Sequence, residues 1–400
     1  MNIKKNYRFC LLCAFVSLTY TAVDAHEGFF AHQINSNLKY CDEQIRLTEQ
    51  TIHSDTIFPR SINANSKVWK TTNFADWTSG FWPGILWMDY EATKDPYIKE
   101  KAEHATATLE RLLDPKHKID HDIGFQLYCS YGNAYRITGD KHYRDILLKG
   151  AERLAELYNP QAGTILSWPH MIREGWPHNT IMDNMMNLEL LFFAAKNGAS
   201  REYYDIAVSH ARKTMENQFR LDGSNNHVAL YDTHTGKFLR CLTNQGYSDN
   251  SMWARGQAWA IYGYTMVYRE TGDKTFLRFA EKVTKCYLDR LPKDMIPYWD
   301  FDDPMIPNAL RDASAAAIVS SALLQLSKLE DNESLSRRYY SAAVKMIKEL
   351  SSCRYQSREK NSAILLHSVG NMPAGYEVDA SINYADYYYM QALIWCKNNM

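Results

Sequence analysis

The sequence has no surplus of charge of either sign: 45 Lys and Arg stand against 46 Asp and Glu in 400 residues, a formal net charge of -1. A near-neutral chain carries no electrostatic footprint for nucleic acid or for an anionic membrane surface, so recognition of any acidic ligand must be local. It also lacks metal-binding patterns. No CxxC pair and no Cys/His cluster has ligand spacing, so neither a metal site nor any other cofactor is expected. Beyond the first residues no apolar run is long enough to span a bilayer, which argues against membrane insertion. Nor is there a stretch of strand-like alternation long enough to build a large sheet.

What is present begins with a targeting segment. Lys4, Lys5 and Arg8 precede the apolar run "FCLLCAFVSL", and "AVDA" offers small residues for cleavage after Ala25. This pattern predicts a signal peptide over 1–25 and export to a bacterial periplasm. A lipoprotein reading through Cys13 is disfavoured by the bulk of Leu12. Cys10 and Cys13 would leave with the signal. Cys41, Cys129, Cys241, Cys286, Cys353 and Cys396 remain, scattered and mostly on apolar helical faces, as buried free thiols would be.

The remainder, 26–400, repeats itself. "YRITGDKHYRDILLKGAERLAELY" from Tyr135 and "YRETGDKTFLRFAEKVTKCYLDRL" from Tyr268 each read as a helix end, a tight turn and an amphipathic helix. Weaker copies start near Tyr90, Ala195 and Leu329. The helices after each turn carry one apolar stripe opposite Lys, Arg and Glu, whereas those before it are apolar on most faces. Six inner and six outer helices predict an all-α (α/α)6 toroid in a single domain. The longest connections, at 159–182, 220–252, 292–312 and 353–383, precede inner helices and therefore gather at one mouth, where a site is expected.

One inner helix poses a question. In "WPHNTIMDNMMNLELLFFAAKNG" the run from Leu188 belongs in a core, yet His178, Asn179, Asp183, Asn184 and Asn187 stand at its entrance. "IDHDIGF" places Asp120, His121 and Asp122 at the neighbouring mouth. Any one of these aspartates is as readily a helix cap as a catalytic group. Their company favours chemistry: Trp168, Trp176 and other mouth tryptophans offer stacking faces, and two carboxylates beside such faces suit a sugar-cleaving pocket. Arg255, set among Trp253 and Trp259, needs an anion, either a protein carboxylate or an acidic ligand.

Taken in order, "HDIGF", "MDNMMNLELL", "YSDNSMWARGQAWAIYGYT", "WDFDDP" and "RDASAAAI" resemble the unsaturated glucuronyl hydrolases, family 88 of the glycoside hydrolases. The resemblance covers nearly all of 26–400. It implies an (α/α)6 barrel that releases Δ4,5-unsaturated uronic acid from the non-reducing end of lyase-generated, glycosaminoglycan-type oligosaccharides. It further implies catalytic roles for Asp122 and Asp183, and sugar contacts from His121, His227, Thr243, Gln245, Arg255, Trp259 and Ser368, with Trp168 in the aromatic lining. Asp183 would act as acid and base, its proton retained under the influence of Asp122. A related unsaturated rhamnogalacturonyl hydrolase and an α-toroid polysaccharide lyase are the alternatives. In "WDFDDP", Asp300, Asp302 and Asp303 read as caps and turns, with calcium as the one ion worth testing.

Overall fold

The computed structural model describes residues 30–52, 54 and 56–400; the leader expected over 1–25 lies outside them. Helix α1 (30–51) opens the described chain. It is followed by α2 (Phe81–Thr93), α3 (Pro96–Ala107), α4 (Ile123–Leu127), α5 (Asn133–Thr138), α6 (Lys141–Ala155), α7 (Asn184–Lys196) and α8 (Glu202–Asn217). Then come α9 (Ala254–Thr271), α10 (Lys274–Arg290), α11 (Ala313–Leu329), α12 (Glu333–Leu350) and α13 (Asn383–Asn399). A π turn over Tyr128–Gly132 joins α4 to α5, so the two form one inner helix. Asn133 Nδ2 donates to Cys129 O there, satisfying a carbonyl inside the irregular turn.

The inner helices are α2, α4–α5, α7, α9, α11 and α13, and each packs on the next until α13 closes against α2. The expected (α/α)6 toroid is what forms. The hairpins show why the repeat was legible. Gly139 and Gly272 end inner helices at φ 71° and 68°, a left-handed conformation that glycine adopts without steric cost. One residue later Asp140 and Asp273 accept the N–H of His142 and Thr275, starting the outer helices α6 and α10. The Lys94–Asp95 pair does the same before α3.

The mouth formed by the inner-helix N-termini carries short strands that the sequence reading left as loops. β1 (Phe58–Ile62) pairs with β2 (Lys70–Thr72) and with β8 (Ser381–Ile382). β3 (Tyr158–Asn159) and β4 (Thr164–Ile165) form a hairpin, and β5 (His178–Ile181), β6 (Val228–Tyr231) and β7 (Phe238–Leu242) form a second three-stranded sheet. His227 therefore stands immediately before β6 rather than in a free loop. Of the six cysteines, Cys41, Cys129 and Cys396 are buried, but Cys353 is exposed. No helix among the described residues is long and apolar enough to cross a membrane.

Candidate active site

A cavity of about 200 Å³ opens at this mouth, room for roughly one pyranose ring. Its lining includes Asp122, Asp183, Trp168, Gln245 and Arg255, which the sequence had singled out, together with Arg60, Trp77, Asn244, Tyr376, Glu377 and Tyr384. A larger cavity of about 780 Å³ lies at the other end of the barrel around Tyr128, Glu189, Arg269 and Trp395. Glu189 is the single carboxylate among its lining residues, whereas the smaller cavity brings Asp122, Asp183 and Glu377 together.

Asp122 and Asp183 occupy the N-cap positions of α4 and α7, yet neither side chain makes a capping hydrogen bond. The capping alternative is thereby removed for both. Each carboxylate instead faces a buried histidine. His121 Nε2 lies 3.5 Å from Asp122 Oδ2, and His227 Nε2 lies 3.5 Å from Asp183 Oδ2. These are long electrostatic contacts at the limit of a hydrogen bond.

The ring tautomers follow from the partners on the far side. Asn187 Oδ1 accepts the Phe125 N–H at 2.7 Å, so its Nδ2 is turned towards His121 Nδ1 at 3.0 Å. His227 Nδ1 accepts the N–H groups of Asn244 and Gln245, both at 3.3 Å. Both rings thus present an Nε2–H to a carboxylate. Burial drives the His121 pKa down to about 3, so that ring is neutral.

Electrostatics separate the two acids. Burial pushes Asp122 well above the usual carboxylate range, reinforced by the negative charges of Asp120 and Asp183. Burial works on Asp183 in the same direction, but His227, then Arg255 and His121, outweigh it and hold that carboxyl below its ordinary value. The two carboxyls are thus shifted in opposite directions, Asp122 towards its protonated form and Asp183 towards its anion. This reverses the order expected from sequence, in which Asp122 raised Asp183; the reason is the company of His227 and Arg255 on one side only.

Arg255 meets the protein carboxylate that one of its two sequence readings requires. Its Nη1 contacts Asp312 Oδ2 at 3.4 Å and donates to Val369 O, Nη2 donates to Gly370 O at 2.5 Å, and the guanidinium still lines the cavity. Asp312 also caps α11 through Ser314 N at 3.0 Å. Gln245 Nε2 donates to Gly370 O at 3.1 Å.

Of the residues expected as ligand contacts, His121, His227, Thr243, Trp259 and Ser368 are not part of the cavity lining; the two histidines stand against the carboxylates instead. Thr243 Oγ1 accepts Gly246 N–H in the turn that carries Gln245. Trp259 is fully buried against Phe125 and Tyr388, in the barrel core. Ser368 is fully buried and its N–H pairs with Ala380 O.

The polar entrance of α7 now has its explanation. Asp183 faces the cavity, while the amides splint irregular backbone: Asn179 accepts Trp168 N–H, Asn184 donates to Ile165 O, and Asn187 serves Phe125 and His121. His178 is paired with Thr164 Oγ1 at 2.9 Å and takes no part in the cavity. In "WDFDDP" the carboxylates are equally committed. Asp300 accepts from Tyr247 N and Ser251 Oγ, Asp302 from Met252 N and Arg290, and Asp303 from Met305 N.

An (α/α)6 toroid whose mouth holds two buried carboxyls, shifted in opposite directions, beside aromatic faces and a buried arginine defines a carbohydrate-cleaving enzyme. The chain belongs to Glycosyl Hydrolase Family 88, whose profile matches residues 46–397. It is similar to an unsaturated glucuronyl hydrolase of Formosa agariphila, 43% identical over 341 residues and 84% of each chain. An unsaturated chondroitin disaccharide hydrolase of Streptococcus pneumoniae is 34% identical over 326 residues, 80% of this chain and 81% of that one. Among solved structures, an unsaturated glucuronyl hydrolase specific for heparin superposes with a TM-score of 0.86 at 41% identity, covering 92% of this chain and 97% of the other.

Proposed function

We propose that this glycoside hydrolase removes a Δ4,5-unsaturated uronic acid from the non-reducing end of glycosaminoglycan-type oligosaccharides, by hydrating the C4=C5 enol ether. The observation that carries the reading is the pair Asp122 and Asp183, neither engaged in capping and together facing a cavity sized for one ring. A one-ring cavity suits action on a chain end, with the rest of the oligosaccharide outside. Arg255 and Gln245 would read the uronate, and Trp168 would stack on the ring.

The opposite shifts of the two carboxyls bear on the first step. Burial favours a proton on Asp122, while His227 and Arg255 favour the Asp183 anion. A bound uronate would engage Arg255 and bring its own negative charge. Both effects favour moving the proton to Asp183. Asp183 then gives that proton to C4, leaving an oxocarbenium-like centre at C5. Water adds to C5 and returns a proton to Asp183. The resulting hemiketal opens and expels the aglycone.

The direct test follows the enol-ether absorbance on a panel of unsaturated disaccharides from chondroitin, hyaluronan, heparin-type and pectic chains. Wild type should erase the band on at least one uronide, and Asp183→Asn should keep the fold and lose more than about nine-tenths of the rate, ~1.4 kcal/mol of barrier. Turnover confined to pectic fragments would favour the rhamnogalacturonyl alternative. A rising band on a saturated polyuronide would make the enzyme a lyase and overturn the reading. We also propose export through the leader over 1–25, supported by its basic, apolar and small-residue order. A mature chain in a periplasmic fraction that does not begin at His26 would contradict that cleavage site.

A further inference from the structure

Arg60 belongs to β1, far in sequence from every residue with an expected role, yet it lines the catalytic cavity. It is 8% exposed. Its Nε donates to Glu377 Oε1 at 3.0 Å and to Tyr376 Oη at 2.9 Å. Nη1 pairs with the Asp76 carboxylate and reaches Thr78 Oγ1 at 3.4 Å, and the guanidinium carbon lies 6.0 Å from the Trp77 ring centroid. One cation therefore serves two carboxylates and sits against an aromatic face of the cavity.

Glu377 has the same cavity on one side and is 3% exposed. It stands at φ 53°, in the left-handed region, a conformation that a residue with a side chain holds only when its surroundings impose it. Its backbone carbonyl accepts Gly370 N–H at 2.8 Å, and Gly370 O in turn accepts from Arg255. The segment that positions Glu377 against Arg60 is thus the segment that holds Arg255.

The charges at this mouth leave little room for another anion. Asp183 and Glu377 line the cavity, Asp76 stands behind Arg60, and Arg255 is already shared with Asp312. A uronate must enter beside them. Without Arg60, Asp76 and Glu377 would be uncompensated carboxylates facing that negative charge, and like charges brought together at a desolvated site oppose binding strongly.

We propose that Arg60 is a specificity-determining residue: shared between Asp76 and Glu377, it offsets one of their two negative charges and so lets the cavity accept a carboxylate-bearing ring. The inference rests on the reading that a uronate occupies this cavity. Once bound, the substrate's carboxylate gains from Arg60 through the charge that Arg60 offsets, whereas an uncharged ring gains almost nothing.

The test compares a charged with an uncharged ligand. Calorimetry in the Asp183→Asn background, above the carboxylate pH range, measures binding of an unsaturated disaccharide and of its uronic acid methyl ester. Adding Arg60→Met should weaken the acid by about tenfold or more, the scale of one screened charge near a protein surface, and the ester far less. Glu377→Gln alone, which leaves Arg60 balanced by Asp76 and removes one negative charge from the cavity wall, should shift the acid-to-ester ratio towards the acid. Combining it with Arg60→Met should restore most of the lost acid affinity. Thermal unfolding of each variant checks folding, and Glu377→Gln still decides the matter if Arg60→Met does not fold. Equal losses for both ligands, or a ratio unmoved by Glu377→Gln, would reduce Arg60 to a structural brace and overturn the proposal. Failure of the functional reading looks different: wild type would leave every unsaturated uronide intact and the parent variant would bind neither ligand.

Discussion

His227 faces Asp183 across 3.5 Å through Nε2, while its Nδ1 accepts the backbone N–H groups of Asn244 and Gln245. The two backbone donors fix the tautomer, so a proton always points at the carboxylate. In His227→Ala that support is gone and burial acts on Asp183 with less opposition, which raises its pKa. The acid limb of kcat/KM should move to higher pH, with a slower enzyme of unchanged fold. A pH–rate profile superimposable on wild type would show that His227 does not set the state of Asp183.

Asp122 holds its proton well above the usual carboxylate range because it is buried beside Asp120 and Asp183. Activity that depends on that proton is lost as pH rises through the raised pKa, which places Asp122 on the alkaline limb. Asp122→Asn should lower kcat by roughly 10²–10⁴-fold, the range of one general acid–base group, and abolish that limb. A slow variant that keeps the alkaline limb would leave Asp122 as a binder of ring hydroxyls.

Gly124 is where α4 meets α7. A Cβ there would lie 2.5 Å from both Cβ and Oδ1 of Asn187, the residue that orients His121 and caps Phe125 N–H. Gly124→Ala should cost about 1–3 kcal/mol of stability, as overpacking does, and should also slow turnover because His121 is displaced. Thermal unfolding and kcat measured together check this; a stable, fully active variant would mean that Asn187 has no positioning role.

Asp89 on α2 is fully buried with neither carboxylate oxygen hydrogen-bonded. Burial, helped by Asp42 and opposed by Arg46, lifts its pKa to about 8. A folded-state pKa above the unfolded value of about 3.9 means that the group's contribution to stability is present at low pH and lost as pH climbs. Wild type should therefore lose stability through this group between pH ~4 and ~8, and Asp89→Asn should be free of that loss. The unfolding midpoint of the variant relative to wild type should rise from mildly acidic to alkaline pH. A constant difference would mean that Asp89 does not titrate in the fold.

The toroid was legible because its signals are local. Inner and outer helices differ in the apolar pattern of single turns, and "TGDK" carries its own geometry, a glycine at positive φ followed by a capping aspartate. The strands at the mouth were not legible. β5 is only "HNTI", and its order comes from pairing with Val228–Tyr231 across two intervening helices, α7 and α8. Short strands acquire their stability from partners, which a single segment does not reveal.

For the site, the sequence by itself determined which residue types reach the mouth, since Asp122, Asp183 and Arg255 stand at inner-helix starts that periodicity already locates. Tertiary structure alone decided what surrounds them. Arg60 and Glu377 lie 317 positions apart and meet only because α13 closes the ring against α2. Trp259 is one turn from Arg255 in the same helix, yet packing turns it into the core. The protonation order of the two aspartates was settled in the same way. Both are buried carboxyls at equivalent helix starts, and only the three-dimensional placing of His227 and Arg255 lowers Asp183 while burial raises Asp122, because a pKa responds to charges in space and not to neighbours in sequence.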